Sequence, residues 1–219
     1  GYSLLASRGA KTEDAAISRK TGKPATTREE GSRFGKSPCL ASSWGDTYFG
    51  KLRSFFTQTG MGVFENDGSY PNDVYYVFCV QEELGCRGSK PTAARIKPDI
   101  GIAVDITPAH DYPCDLEGSN EVDGGIGIKI CDPSVVCDED VVAAMEKACE
   151  DNHIKYQREV IDKGGTDASS MNLSGYGVKA GGIVVTTRYP HSQSAVASKA
   201  DIEAGVDLMT AFSKTEFTF

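Results

Sequence analysis

Apolar positions in this chain follow two spacings, and the change from one to the other marks the elements. Val74-Tyr75-Tyr76-Val77-Phe78-Cys79-Val80 is a continuous apolar run with the length of a buried strand, and Ile100-Gly101-Ile102-Ala103-Val104-Asp105-Ile106 is a second. Shorter runs at 126–130, 154–160 and 183–187 predict three more strands. Helical spacing lies between them. Asp138 is a good N-cap, and Val141, Val142, Met145, Ala148 and Cys149 then fall on one helical face. Ser198-Lys199-Ala200-Asp201 comes close to a capping box, opening a helix that buries Ile202, Val206, Met209 and Phe212. Gly205 shares that face and lowers its helix propensity. Ser89-Lys90-Pro91 suits another helix start. Earlier, Asp46 caps a stripe of Tyr48, Phe49, Leu52, Phe55 and Phe56 that Gly60 closes; four aromatics on one face point to core packing.

Strands alternating with amphipathic helices predict an α/β layered domain over residues 37–219. Residues 1–36 are rich in Lys, Arg, Thr, Ser, Gly and Ala, and read as a peripheral segment. At 219 residues the chain can bury a sizeable core, and 39% hydrophobic with 25% charged residues is ordinary for a globular protein. A net charge of −8 without a Lys/Arg cluster argues against a nucleic-acid surface. No apolar run approaches a membrane span, so no membrane partner is expected, and without a basic-plus-apolar leader no secretory signal is expected. Seven cysteines without CxxC spacing argue against a zinc finger or a thioredoxin motif. They fit mostly free thiols in a reducing compartment, and the expected location is cytoplasmic.

The chemistry gathers at strand exits. In Val80-Gln81-Glu82-Glu83-Leu84-Gly85-Cys86-Arg87-Gly88, two adjacent carboxylates directly follow an apolar strand. Open α/β sheets hold their ligands at that end of a strand. Neighbouring side chains in extended chain point apart, so one Glu can hold a metal while the other faces a water as general base. Asp105 stands inside an apolar strand, where a carboxylate needs a partner or a cation. Gly164-Gly165-Thr166-Asp167-Ala168 is a small-residue turn able to bring backbone close to a ligand. Arg188-Tyr189-Pro190-His191-Ser192 follows the last strand, so His191 also sits at a strand exit. Each of these phrases also has an ordinary structural reading: a solvated turn, a capping acid, a plain loop, a hydrogen-bonding histidine.

Taken in order, Gln-Glu-Glu-Leu-Gly with Arg-Gly, Val-Asp-Ile-Thr, Gly-Gly-Thr-Asp-Ala and Arg-Tyr-Pro-His-Ser resemble the glutamyl-aminopeptidase, deblocking-aminopeptidase and endoglucanase-M family of dinuclear metal peptidases. The resemblance runs from about residue 35 to 212. It implies a three-layer α/β fold with helices on both faces of the sheet. More weakly, Gly9-Ala10-Lys11-Thr12-Glu13-Asp14 resembles the tail of that family's inserted β-rich dimerisation domain. The family pattern implies Glu82 as general base, Glu83 and His191 as ligands of one metal, and Asp105 as a ligand of the other. It also implies Gly165, Thr166 and Asp167 near the substrate. The implied cofactor is a divalent cation, zinc or cobalt, up to two per site. The implied substrates are short peptides, and the implied assembly is a homo-oligomer.

Three positions depart from the pattern. The early His of a His-x-Asp phrase has no counterpart in this sequence, Ala41 stands at the bridging-Asp position of Cys39-Leu40-Ala41-Ser42, and Ala195 stands where a Glu usually follows the late His. A catalytic zinc normally takes three protein ligands plus water. A catalytically degenerate homologue, acting as a binding or assembly subunit, is therefore the alternative. Glycoside hydrolysis is a third class, but adjacent glutamates do not flank a sugar bond at the ~5–9.5 Å such catalysis uses.

Overall fold

A computed structural model of the chain describes residues 2–7 and 71–217, the first six by their backbone alone. In chain order the elements are β1 (Tyr2–Ser7), β2 (Asp73–Phe78), α1 (Ser89–Ile96), β3 (Ile100–Pro108), β4 (Ile126–Asp132), β5 (Val135–Val136), α2 (Glu139–Asp151), β6 (Tyr156–Val160), α3 (Asp167–Asn172), β7 (Lys179–Arg188), β8 (Val196–Ala197) and α4 (Lys199–Ser213). The described strands form one mixed sheet in the order β2-β1-β3-β7-β4-β5, with β6 beside β4 and β8 beside β7.

Strand direction decides where the site can be. β1 runs antiparallel to both β2 and β3, and β3 runs parallel to β7. The strands β2, β3 and β7 therefore point the same way, and their carboxyl ends share one edge of the sheet. Glu82, Glu83, Asp105 and His191 all belong to that edge.

The side chains alternate between two faces. Ile100, Ile102 and Val104 of β3, Ile126 and Ile128 of β4, and Ile183 and Val185 of β7 form one buried cluster with Val141, Met145, Ala148 and Cys149 of α2 and Leu208, Met209 and Phe212 of α4. The opposite face packs Ala103, Ala180 and Tyr75 against Ala93 of α1 and Ala168 and Met171 of α3. Helices thus cover both faces, as the α/β reading expects. The caps at Asp138 and Ser198 form as predicted: Asp138 accepts from the Asp140 and Val141 amides, and Ser198 accepts from the Ala200 amide. Gly205 has a packing reason. A Cβ there would come within 2.9 Å of Ile126 Cδ1, so the missing side chain lets α4 lie close on β4.

Several bounds differ from the sequence reading, each for a local reason. The first strand stops at Phe78 rather than 80, and Gln81 then adopts a left-handed φ of 55°. Ile154 belongs to the turn after α2, its amide bonded to the Cys149 carbonyl at 2.8 Å. The last long strand starts earlier, at Lys179, because Ala180, Gly181 and Gly182 hide it from a hydrophobic scan. Thr166 caps a short helix, α3, where the sequence suggested only a turn. Tyr2–Ser7, expected to be peripheral, lies within the sheet between β2 and β3. The aromatic helix after Asp46, Ala41 and the boundary at residue 37 lie outside the described residues.

Candidate functional site

The two glutamates leave β2 on a tight turn. The amides of Gly85 and Cys86 both donate to the Glu82 carbonyl, at 2.9 and 2.8 Å, and Gln81, Gly85 and Cys86 all have positive φ. Left-handed backbone at two non-glycine residues is costly, and such residues concentrate where a loop must present side chains in a fixed direction. The turn folds Cys86 back towards Glu82, and the Cys86 thiol donates to Glu82 Oε1 at 3.5 Å.

Asp167 joins them from α3. One ligand atom each of Glu82, Cys86 and Asp167 lies within 4.8 Å of the others. Asp167 is fully buried and accepts a 2.6 Å hydrogen bond from Ser89 Oγ at the start of α1. Burial raises the Glu82 carboxyl above the usual carboxylate range, and the neighbouring Asp167 and Glu83 charges push the same way. Burial, then the charges of Glu82 and Asp167, raise the Cys86 thiol to about 12. It is therefore a neutral thiol at physiological pH and a donor to Glu82, not a nucleophile.

Asp105 occupies a half-buried position near the end of β3, with Oδ1 accepting from the Ile106 amide at 2.8 Å. Burial, followed by the charge on Glu82, pushes its carboxyl up to about 7. That influence of Glu82 brings the β2 exit and the β3 tip into one electrostatic neighbourhood. Both acids are out of reach of full hydration, so a bound cation would stabilise both in their charged forms.

His191 and Glu83 form the outer part of the site. His191 Nδ1 lies 3.9 Å from Glu83 Oε2, with side chains 67% and 52% exposed. Two donors on one zinc, each roughly 2.0–2.2 Å from it, are at most about 4.4 Å apart, so this spacing admits a shared cation. The His191 loop is pinned from outside the site. Arg188 donates from Nε to Asp111 Oδ1 at 2.9 Å and from Nη2 to Asp111 Oδ2 at 2.5 Å. The Tyr112 and Tyr189 rings meet edge-on at 4.8 Å. Beside this clamp, Tyr189 and His191 adopt left-handed φ of 54° and 55°.

Of the residues singled out in the sequence, Glu83 comes together with His191, and Glu82 lies near both Asp105 and Asp167. The glycine turn is more enclosed than a free substrate loop. Thr166 is buried with its hydroxyl capping α3, and a Cβ on Gly165 would lie 2.7 Å from Ser134 Oγ. Sequence reasoning missed Cys86 and Asp111. Cys86 stood four residues after Glu82 in the quoted phrase, a spacing that meets only when the chain turns. Asp111 had no signal short of the folded loop that carries it to Arg188.

Against known proteins, the M42 glutamyl aminopeptidase profile matches residues 63–208. A curated relative from Acetivibrio thermocellus is 42% identical over 138 residues, covering 63% of this chain and 42% of its own length. A solved aminopeptidase from the archaeon Desulfurococcus kamchatkensis superposes with a TM-score of 0.68 at 30% identity, covering 72% of this chain and 46% of that one. The TET1 peptidase of Pyrococcus horikoshii, described as assembling into a tetrahedron or a large octahedral shell, superposes with a TM-score of 0.61 at 26% identity, over 73% of this chain and 47% of that one. The chain thus spans less than half the length of these relatives.

Proposed function

We propose a metal-dependent aminopeptidase function for this chain, which belongs to the M42 glutamyl aminopeptidase family. The observation that carries the reading is the approach of His191 Nδ1 to Glu83 Oε2, 3.9 Å, at the same sheet edge as Asp105 and Glu82. In this reading Glu83 and His191 hold one divalent cation, and Asp105 contributes to a second. Zinc or cobalt suits this mixed carboxylate and imidazole donor set. Such cations polarise the scissile carbonyl and acidify a water at neutral pH.

Glu82 is the general base of the proposal. Its carboxyl, raised by burial, takes a proton from the attacking water and returns it to the departing amine. The Cys86 thiol donates to Glu82 Oε1 and so helps to orient the carboxyl of the base. The buried Asp167 carboxylate and the Gly165-Thr166 turn adjoin the base, and the negative charge there favours the protonated amino terminus of a short peptide. Among the described residues no helix is long and apolar enough to cross a membrane. The assembly of the TET1 relative supports a homo-oligomer here.

The test is metal content after dialysis against trace zinc or cobalt, run beside release of N-terminal residues from short peptides. Wild-type chain is expected to retain metal, and Glu83→Ala and His191→Ala to lose it while staying folded. A folded wild-type chain that retains none would overturn the reading and favour a degenerate subunit.

A further inference from the structure

Lys129 is completely buried, and so is Glu159. They face each other on the neighbouring parallel strands β4 and β6. Lys129 Nζ donates to Glu159 Oε1 at 2.9 Å and Oε2 at 2.8 Å, and lies 3.2 Å from Asp132 Oδ2. Glu159 Oε1 also accepts from Thr107 Oγ1 at 2.7 Å. Thr107 is two residues past Asp105 on β3, on the same face, and in the strand order β7 and β4 stand between it and Glu159. The two long side chains therefore bridge the sheet face. Gly182 on β7 makes room, since a Cβ there would come within 2.9 Å of Lys129 Cβ.

The other end of the network reaches the glycine turn. Asp132 Oδ1 accepts from Ser134 Oγ at 2.6 Å, the Ser134 amide at 2.8 Å and the Val135 amide at 3.1 Å. Ser134 Oγ is the atom against which Gly165 packs. Polar contacts thus run from the strand of Asp105 to Ser134, which packs against the turn that precedes Asp167. A buried ion pair is weak as a source of stability, because desolvation offsets most of its attraction, and apolar replacements of similar volume are often neutral or stabilising. Its geometric demand is strict, however, and outer-shell contacts of this kind orient the ligands of metal sites.

We infer that Thr107, Lys129, Glu159 and Asp132 are positioning residues, a buried polar strut that fixes Asp105 and the Gly165 turn relative to one another. This rests on the metal-site reading above, since its readout is the cation held with Asp105.

The decisive variant is Thr107→Val in the full chain. It keeps the shape of the side chain and leaves the Lys129 pair with Glu159 intact, removing only the hydroxyl that ties it to β3. Cobalt titration followed by visible absorption gives affinity and ligand geometry together, and a thermal melt gives stability. Thr107→Val is expected to weaken cobalt binding roughly 10–100-fold, the usual scale for outer-shell changes, with little change in melting. Thr107→Ser, which keeps the hydroxyl, is expected to restore it. A Lys129→Met/Glu159→Leu double variant is expected to stay folded and show the same loss. Unchanged affinity and spectrum in Thr107→Val, or loss in Thr107→Ser equal to that in Thr107→Val, would overturn the strut. A wild-type chain that binds no cobalt would overturn the functional reading and the strut with it.

Discussion

The face of the sheet toward α2 and α4 is built from Ile100, Ile102, Val104, Ile126, Ile128, Ile183 and Val185, all buried and apolar. The face toward α1 and α3 carries Asp105, Thr107, Lys129, Glu159 and Thr186 among small residues such as Ala103, Ala180 and Gly182. Both faces belong to the same strands, and consecutive residues supply them in turn. The apolar face gains its free energy from area removed from water, which tolerates small shifts in position. The polar face gains little net stability from its charges, yet fixes atoms to within a hydrogen bond. One face keeps the chain folded and the other keeps the site in register, so substitutions on the two faces have different signatures.

Glu82→Gln sharpens that contrast most. Peptide hydrolysis by the full protein is expected to fall by about 10²–10⁴, the range typical of a lost general base. Melting of the metal-free protein is not expected to drop, because the variant removes a carboxyl that burial, then its Asp167 and Glu83 neighbours, holds above the ordinary range. Raised in the fold, that carboxyl costs stability when ionised; the cost fades as pH falls through its folded value and is gone below its unfolded value. Steady-state kinetics and a melt on the same preparation check both halves. A variant that melts much lower would assign Glu82 to structure.

Met145→Ala probes the apolar face. Met145 is fully buried between α2 and the strands. Truncation removes packed atoms and leaves a void, at about 2–5 kcal/mol. In a chain of this size each kcal/mol moves the melting midpoint by roughly 2–4 °C. Cobalt affinity of the folded fraction is expected to stay at the wild-type level, read by titration well below the midpoint. Weaker binding in the folded state would mean that the two faces are mechanically coupled and would break the division drawn above.

The two faces also differ in how much of them the sequence discloses. Ile100, Ile102 and Val104 announce a strand by hydrophobicity alone, and Val141, Met145 and Cys149 announce a helix by spacing, because burial against an apolar layer is a property of each residue type. Glu82, Glu83, Asp105 and His191 were found by the order of short phrases and by strand exits, a one-dimensional record of the sheet edge. Lys129 and Glu159 left no such trace. Each is a charged residue within or beside an apolar run, and only the pairing of β4 with β6 makes them neighbours. Glycines at 181, 182 and 205 were equally opaque, since they mark where something else approaches rather than what they do. Tyr2–Ser7 entered the sheet from a stretch whose composition suggested a periphery, because backbone pairing with β2 and β3 does not depend on a strongly apolar sequence.

The smallest effect is expected at the rim of the polar face, where Asp111 clamps Arg188. The Arg188 hydrogen bonds hold the Asp111 carboxyl below the usual carboxylate range, with burial opposing. A lowered folded value contributes stability above the unfolded value, near 4, and that contribution is lost as pH falls through the folded value. Asp111→Asn is therefore expected to melt slightly below wild type at neutral pH, by a few degrees at most given the solvent access of the pair. The gap should close only below about pH 4, where wild type protonates and comes to resemble the variant. Melting curves across pH 2–8 check this. Tyr189 and His191 follow the clamp in left-handed backbone, so the same variant should broaden or move the His191 imidazole resonance in proton NMR. A melting gap without any change at His191 would leave the ion pair as surface decoration, and the ordering role of the polar face would end at the buried strut.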